Sequence, residues 1–211
     1  MRILSLVKKN NYVTVTLDTE EKLRLHYEVV VKCGLRKNDE LSDQQLKSIL
    51  DTEKEFNLKN SALLLLSRRL HSSFELQTKL MKKGHTKEEI KPILDDFKNK
   101  GYLSDKDFAE RFIEEGLKKK KGLMKIKADL FSKGVSREII DRLLYDYEGD
   151  DSLLENAKIL AEKKMLSINR KELEPFQKKQ KLYSYLSGKG YSSDIIRQIV
   201  EELVKDDQQI I

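Results

Sequence analysis

Ser72-Ser-Phe-Glu-Leu76-Gln-Thr-Lys-Leu80-Met-Lys-Lys-Gly84-His-Thr86-Lys-Glu-Glu-Ile90-Lys-Pro-Ile93-Leu94 carries a pattern that returns twice farther along the chain. Setting Gly84 against Gly134 and Gly190 aligns Leu80, Leu130 and Leu186 four residues before the glycines, with Leu76, Ile126 and Leu182 four before that. Apolar residues at this spacing share one face of a helix. The glycine is its stop, because a left-handed C-cap costs glycine little. Two residues later stand Thr86, Ser136 and Ser192, whose side-chain oxygens can cap a second helix. Its apolar face is then Ile90 with Ile93 and Leu94, Ile140 with Leu143 and Leu144, and Ile196 with Ile199 and Val200. Helix, short turn, helix is predicted three times.

The first two units continue into a third helix, Ser104 to about Leu117 in one and Ser152 to about Leu166 in the other, with Ala109 and Phe112 matching Ala157 and Leu160. The third shows no such continuation and ends in the acidic, unpatterned Lys205-Asp206-Asp207-Gln208-Gln209. The predicted repeats are therefore 61–117, 118–166 and a shortened 167–211. Ser72-x-x-Glu75, Thr86-x-x-Glu89 and Ser104-x-x-Asp107 have capping-box spacing, which assigns those acids to helix starts. Units of about 50 residues that each touch chiefly their neighbours predict a mainly α, elongated and curved array.

Ahead of the repeats, residues 1–60 read as a separate module. Ile3–Val7, Tyr12–Leu17 and Lys22–Tyr27 alternate apolar and polar or are β-branched, with Lys9-Asn10-Asn11 and Asp18-Thr19-Glu20-Glu21 as turns between them. A three-stranded antiparallel sheet is predicted. After it Ser42 caps a polar helix to about Phe56 with Leu46, Ile49 and Leu50 inward.

Composition agrees with thin, repetitive architecture. The chain has 211 residues, of which 37% are charged and 38% hydrophobic, leaving little apolar material for a thick core. Cys33 is the single cysteine, so no internal disulfide forms and a reducing, cytoplasmic compartment is expected. The opening MRILSLVKKNN is too short in apolar residues for a signal peptide, and no apolar run approaches the roughly 20 residues of a membrane span.

Leu66-Ser-Arg-Arg-Leu-His-Ser-Ser-Phe-Glu-Leu-Gln-Thr-Lys-Leu-Met-Lys-Lys-Gly84, then Gly101-Tyr-Leu-Ser-Asp-Lys-Asp-Phe-Ala109, then Lys121-Gly122, Ile126, Leu130 and Lys133-Gly134-Val135 resemble the RecX family of recombination regulators. Lys179-Gln-Lys-Leu-Tyr-Ser-Tyr-Leu186 with Gly190-Tyr191 resembles that family's last repeat, and the amino-terminal strands resemble an extension that some members carry. The resemblance spans roughly residues 61 to 205 in the family's order. It implies a protein of tandem three-helix repeats that binds the RecA recombinase filament and limits its assembly and activity.

The formal charge is +6, and half of that excess falls within residues 118–150. Lys118-Lys119-Lys120-Lys121, Lys125 and Lys127 occur there with no acid before Asp129. A flexible basic junction of this kind could meet phosphates or an acidic groove without reading sequence; a solvated lysine run is the plainer alternative. Arg68-Arg69, Lys82-Lys83 and Lys178-Lys179 with Lys181 are secondary candidates, each also readable as a solvated helix face. Tyr102, Phe108, Phe112, Tyr183, Tyr185 and Tyr191 could stack on bases, but most stand at repeat-equivalent apolar positions and read as core.

Sequence-specific duplex reading is disfavoured by the acids in the first turns of the second helices, Glu88-Glu89, Glu138 and Asp194. Enzyme chemistry has little to build on. His26, His71 and His85 lack metal-ligand spacing, Asp95-Asp96 and Asp105 with Asp107 read as helix surface and caps, and Cys33 has no nearby His. No cofactor is expected. Two functions remain: a regulator of the RecA filament, with single-stranded DNA as a further partner, and an architectural protein that coats DNA without sequence preference. A monomer is expected, since no long heptad seam appears.

Overall fold

The computed structural model describes residues 1–147 and 149–204, so the acidic segment 205–209 lies outside the described residues. Among the described residues the chain forms three strands followed by ten helices. The strands β1 (Ile3–Lys9), β2 (Tyr12–Leu17) and β3 (Lys22–His26) pair antiparallel in chain order. The register sets Val13 opposite Leu25 and Val15 opposite Leu23, and these four residues with Leu17 and Ile3 are buried. Alternation at a period of two thus puts one face of the sheet into a core.

Helix α1 (Tyr27–Lys32) follows β3 directly. Its β-branched Val29-Val30-Val31 gives no helical signal, and burial of Val29 and Val30 outweighs that propensity. Helix α2 (Asp43–Leu66) starts at the predicted Ser42, whose hydroxyl accepts from Gln45 N–H while the Gln45 side chain accepts from Ser42 N–H. It does not end near Phe56, because residues 57–66 contain no glycine or proline to stop it. Ile49 and Leu46 pack against the sheet core, whereas Leu50, expected inward, is exposed. The inward stripe continues instead to Glu53, a buried carboxylate that accepts from His26 N–H and from Asn57 Nδ2, each at 2.8 Å.

The eight remaining helices are α3 (Ser73–Met81), α4 (Lys87–Asn99), α5 (Asp105–Lys118), α6 (Leu123–Ser132), α7 (Arg137–Tyr145), α8 (Asp151–Ile168), α9 (Pro175–Lys189) and α10 (Ser193–Leu203). Gly84, Gly134 and Gly190 end α3, α6 and α9 with φ of 94°, 73° and 89°, the left-handed conformation that the repeat pattern demanded. The six aligned apolar positions, Leu76, Leu80, Ile126, Leu130, Leu182 and Leu186, are all fully buried. Thr86, Ser136 and Ser192 each accept a backbone N–H from the residue three further on.

Packing divides the helices differently from the boundaries 61–117, 118–166 and 167–211. Phe108, Ala109 and Ile113 of α5 share a core with Ile126 and Leu130 of α6 and with Ile140 and Leu144 of α7. Ala157, Ala161 and Met165 of α8 share another with Leu182, Leu186, Ile196 and Ile199 of α9 and α10. Each helix read as the tail of one repeat is therefore the head of the next, and the third repeat is not shortened. The alanines that permit close approach face the helices that follow them.

The chain falls into two compact units, Met1–Arg69 with Gln77–Phe97, and Leu70–Leu76 with the chain from Lys98 onward. In the first, Lys59 Nζ meets Asp96 Oδ2 at 3.5 Å and so ties α2 to α4. In the second, successive repeats join at one kind of point. The Ser72 hydroxyl, which caps α3, donates to Lys133 O, and Gly122 N–H, at the cap of α6, donates to Lys189 O.

Candidate functional site

The basic run 118–127 is built into the α5–α6 turn rather than hanging from it. Lys118 is the last residue of α5 and Lys119 its C-cap, with Nζ 4.0 Å from Glu115. Lys120 takes a positive φ of 54°, and Lys121 N–H closes the turn onto Gly116 O at 3.0 Å. The Tyr191 hydroxyl donates to Lys120 O at 2.9 Å, and burial pushes its phenol up to about 12. These bonds correct the expectation of a flexible junction: a turn whose carbonyls and N–H groups are bonded is a fixed one.

Ion pairing then separates the lysines. Lys121 Nζ lies 2.7 Å from Asp129, and Lys125 Nζ 3.2 Å from the same carboxylate. The hydrogen bond from Lys121, seconded by Lys125, holds the Asp129 carboxyl below its ordinary value. Lys127 pairs with Asp141, whose carboxyl is lowered chiefly by that contact and further by Arg137. Lys121, Lys125 and Lys127 are thus partly neutralised, and Lys118 is the exposed lysine of the run best placed to meet an anion.

Arg68 and Arg69 follow the C-cap of α2 and are exposed, as are Lys82 and Lys83 at the end of α3. Lys178 and Lys179 are half-buried on α9, and Lys181 is exposed on it. Lys181 lines a cleft between α8 and α9 together with Lys164 and Lys171, two residues that the sequence reading passed over. Only the α9 side was visible in the sequence: residues 175–193 contain four lysines and no acid, whereas the run at 118–127 is answered by Asp129. Phe108 and Tyr191 are buried, in the cores of α5–α7 and α8–α10 respectively, and Phe112 packs on the core of Phe108, as expected of aromatic core residues; Tyr102 is exposed. Among the described residues no group of three or more His, Cys, Asp or Glu side chains gathers as a metal site, and Asp105 accepts from the backbone N–H and hydroxyl of Ser73 at 2.7 Å each. No helix among them is long and apolar enough to cross a membrane.

Family models for the first, second and third three-helix domains of RecX match residues 59–97, 104–144 and 150–200, which are the helix groups defined by packing for the second and third. The chain is 31% identical over 202 residues to "Regulatory protein RecX" of Clostridium botulinum, covering 95% of this chain and 94% of that one. The protein of the same name in Clostridium perfringens is 31% identical over 205 residues, covering 97% and 96%. A crystal structure of regulatory protein RecX shares the fold, with a TM-score of 0.74 at 22% identity over 94% of this chain and 98% of that one. That of RecX from Lactobacillus salivarius gives 0.63 at 28% identity over 72% and 97%. Matched in order through all three helical domains and across nearly its whole length, the chain belongs to the RecX family of regulatory proteins.

Proposed function

We propose that this protein is a negative regulator of the RecA recombinase, binding the filament that RecA forms on single-stranded DNA and limiting its growth, ATP hydrolysis and strand exchange. The observation that carries this reading is the ordered match to all three RecX domains over nearly the whole chain. The charge distribution supports it, because exposed basic residues recur at Arg68 and Arg69, at Lys118, and at Lys181, with the half-buried Lys178 nearby, spread over successive repeats. A ligand shifts assembly only as far as its affinities for the two states differ. A run of repeats that engages several neighbouring protomers at once has such a difference, since it binds the polymer and not the lone subunit.

The test is a titration of the protein into RecA turning over ATP on single-stranded DNA. Turnover falls with added protein if the reading holds. Unchanged turnover with binding to naked DNA, falling with salt at a log-log slope near 0.9 per phosphate neutralised, would replace it with architectural DNA coating.

A further inference from the structure

We propose that the cleft between α8 and α9 binds the polyphosphate group of a nucleoside triphosphate. The cleft encloses about 480 Å³, within the roughly 300–1,000 Å³ typical of small-molecule sites. Lys164, Ser167 and Lys171 reach it from α8 and the turn beyond, and Gln180, Lys181 and Ser184 from α9. All six can donate hydrogen bonds, and none of the residues lining the cleft is acidic.

This is the reverse of the α5–α6 turn, where Lys121, Lys125 and Lys127 each face a carboxylate. Like-charged ammonium groups brought together without a counter-charge repel one another, and a bound polyanion relieves that repulsion. Part of the ordering is done beforehand. Lys164 Nζ lies 5.3 Å and Lys189 Nζ 5.5 Å from the centroid of the Tyr185 ring, so one aromatic side chain, itself packed on the core of α8–α10, steadies two cations. A cation held in place loses less rotamer freedom when its anion arrives.

Charge and shape select the ligand. Lys164, Lys171 and Lys181 supply three positive charges, with Lys189 a fourth through the shared ring, which matches the three to four negative charges of a triphosphate. A nucleic-acid strand brings one charge per nucleotide and spreads them over a track, so a single concave cleft meets only one or two. Ile168 and the body of Tyr185 give the apolar part of the lining, where a sugar or base edge can rest. Nothing in this chemistry requires RecA.

The experiment titrates the full chain at about 0.15 M salt with ATP, with inorganic tripolyphosphate and, separately, with an oligothymidylate. ATP and tripolyphosphate are expected to bind one to one and to compete. Lys171→Ala and Lys181→Ala each weaken both by about tenfold, the loss of one charge-assisted hydrogen bond, while Lys118→Ala leaves both unchanged. Both lysines are exposed, so the variants keep the wild-type circular dichroism and melting temperature, and Lys181→Arg retains binding. Three results overturn the proposal: no binding of either polyphosphate, binding indifferent to Lys171→Ala and Lys181→Ala, or oligothymidylate displacing tripolyphosphate more tightly than ATP does, which would make the cleft a strand site.

Discussion

The hydroxyl of Ser72 donates to the carbonyl oxygen of Lys133 at 2.6 Å, and one repeat later Gly122 N–H donates to the carbonyl oxygen of Lys189 at 2.9 Å. Ser72 and Gly122 both cap the middle helix of their repeat, and Lys133 and Lys189 both stand directly before a helix-ending glycine. The last carbonyls of a helix have no partner within it. In both pairs a donor at the start of one middle helix therefore satisfies an orphan carbonyl at the end of another, a bond that local helix formation leaves unmade. Beside the first contact Lys133 Nζ also reaches Glu75 at 2.6 Å, and the other oxygen of that carboxylate lies 3.3 Å from His71 Nδ1.

Ser72→Ala is the direct test of that coupling. Ser72 is fully buried, and its oxygen also accepts Glu75 N–H at 3.0 Å, so the substitution removes a cap and takes the donor from the partly buried Lys133 carbonyl. The expected loss is about 1–3 kcal/mol in chemical denaturation. A midpoint equal to wild type would mean that the repeats are held by apolar contact alone.

Two glycines separate steric demand from helix propensity. A Cβ on Gly122 would overlap Gly190 O, although the Gly122 backbone itself, with φ of −73°, suits any residue. Gly122→Ala is expected to cost about 2 kcal/mol or more by forcing the two turns apart. A Cβ on Gly188, inside α9, meets nothing within 4 Å. Gly188→Ala is expected to be neutral or to stabilise by up to about 1 kcal/mol. Thermal melting of the two variants side by side reads the difference, and equal effects would contradict the close approach.

Helix positions were legible because a face of Leu and Ile ending at glycine has few other readings; Leu76, Ile126 and Leu182 needed only alignment with one another. Grouping was not legible. Ala109 and Ala157 mark helices that approach closely, but spacing along the chain does not say whether the partner comes before or after. Helix α1 escaped notice because Val29 to Val31 carry β propensity and are helical only through burial. For the candidate site, charge density drew attention to Lys118–Lys127, yet density along the chain counts neither Asp129 nor Asp141, which the fold brings to those lysines. Lys164 and Lys171 lie apart from Lys181 in sequence and meet it only when α8 packs on α9.

The lysine run now divides into separable roles. Lys118→Ala leaves every ion pair of the turn intact, so melting should stay within a few tenths of a kcal/mol of wild type while inhibition of RecA ATP turnover weakens. Lys121→Ala removes the 2.7 Å partner of Asp129 and should lower stability by about 1 kcal/mol. Replacing the whole run at once would mix the two effects. If Lys118→Ala inhibits as well as wild type, the α5–α6 turn is not part of the filament contact.

Acid titration isolates the pairing at Asp129. Its folded carboxyl titrates below the ordinary value of 3.8 because Lys121, and with it Lys125, stabilises the ionised form. A group whose pKa is lower folded than unfolded contributes stability in full above the unfolded value and loses it as pH falls through the folded one. Asp129→Asn removes the titration. The variant should therefore be less stable than wild type at pH 7, and the gap should close as pH falls below 3.8 toward the folded pKa. Denaturant midpoints for both proteins across that range supply the measurement. A gap that stayed constant into acid would show that Asp129 acts through packing or hydrogen-bond geometry and not through its charge.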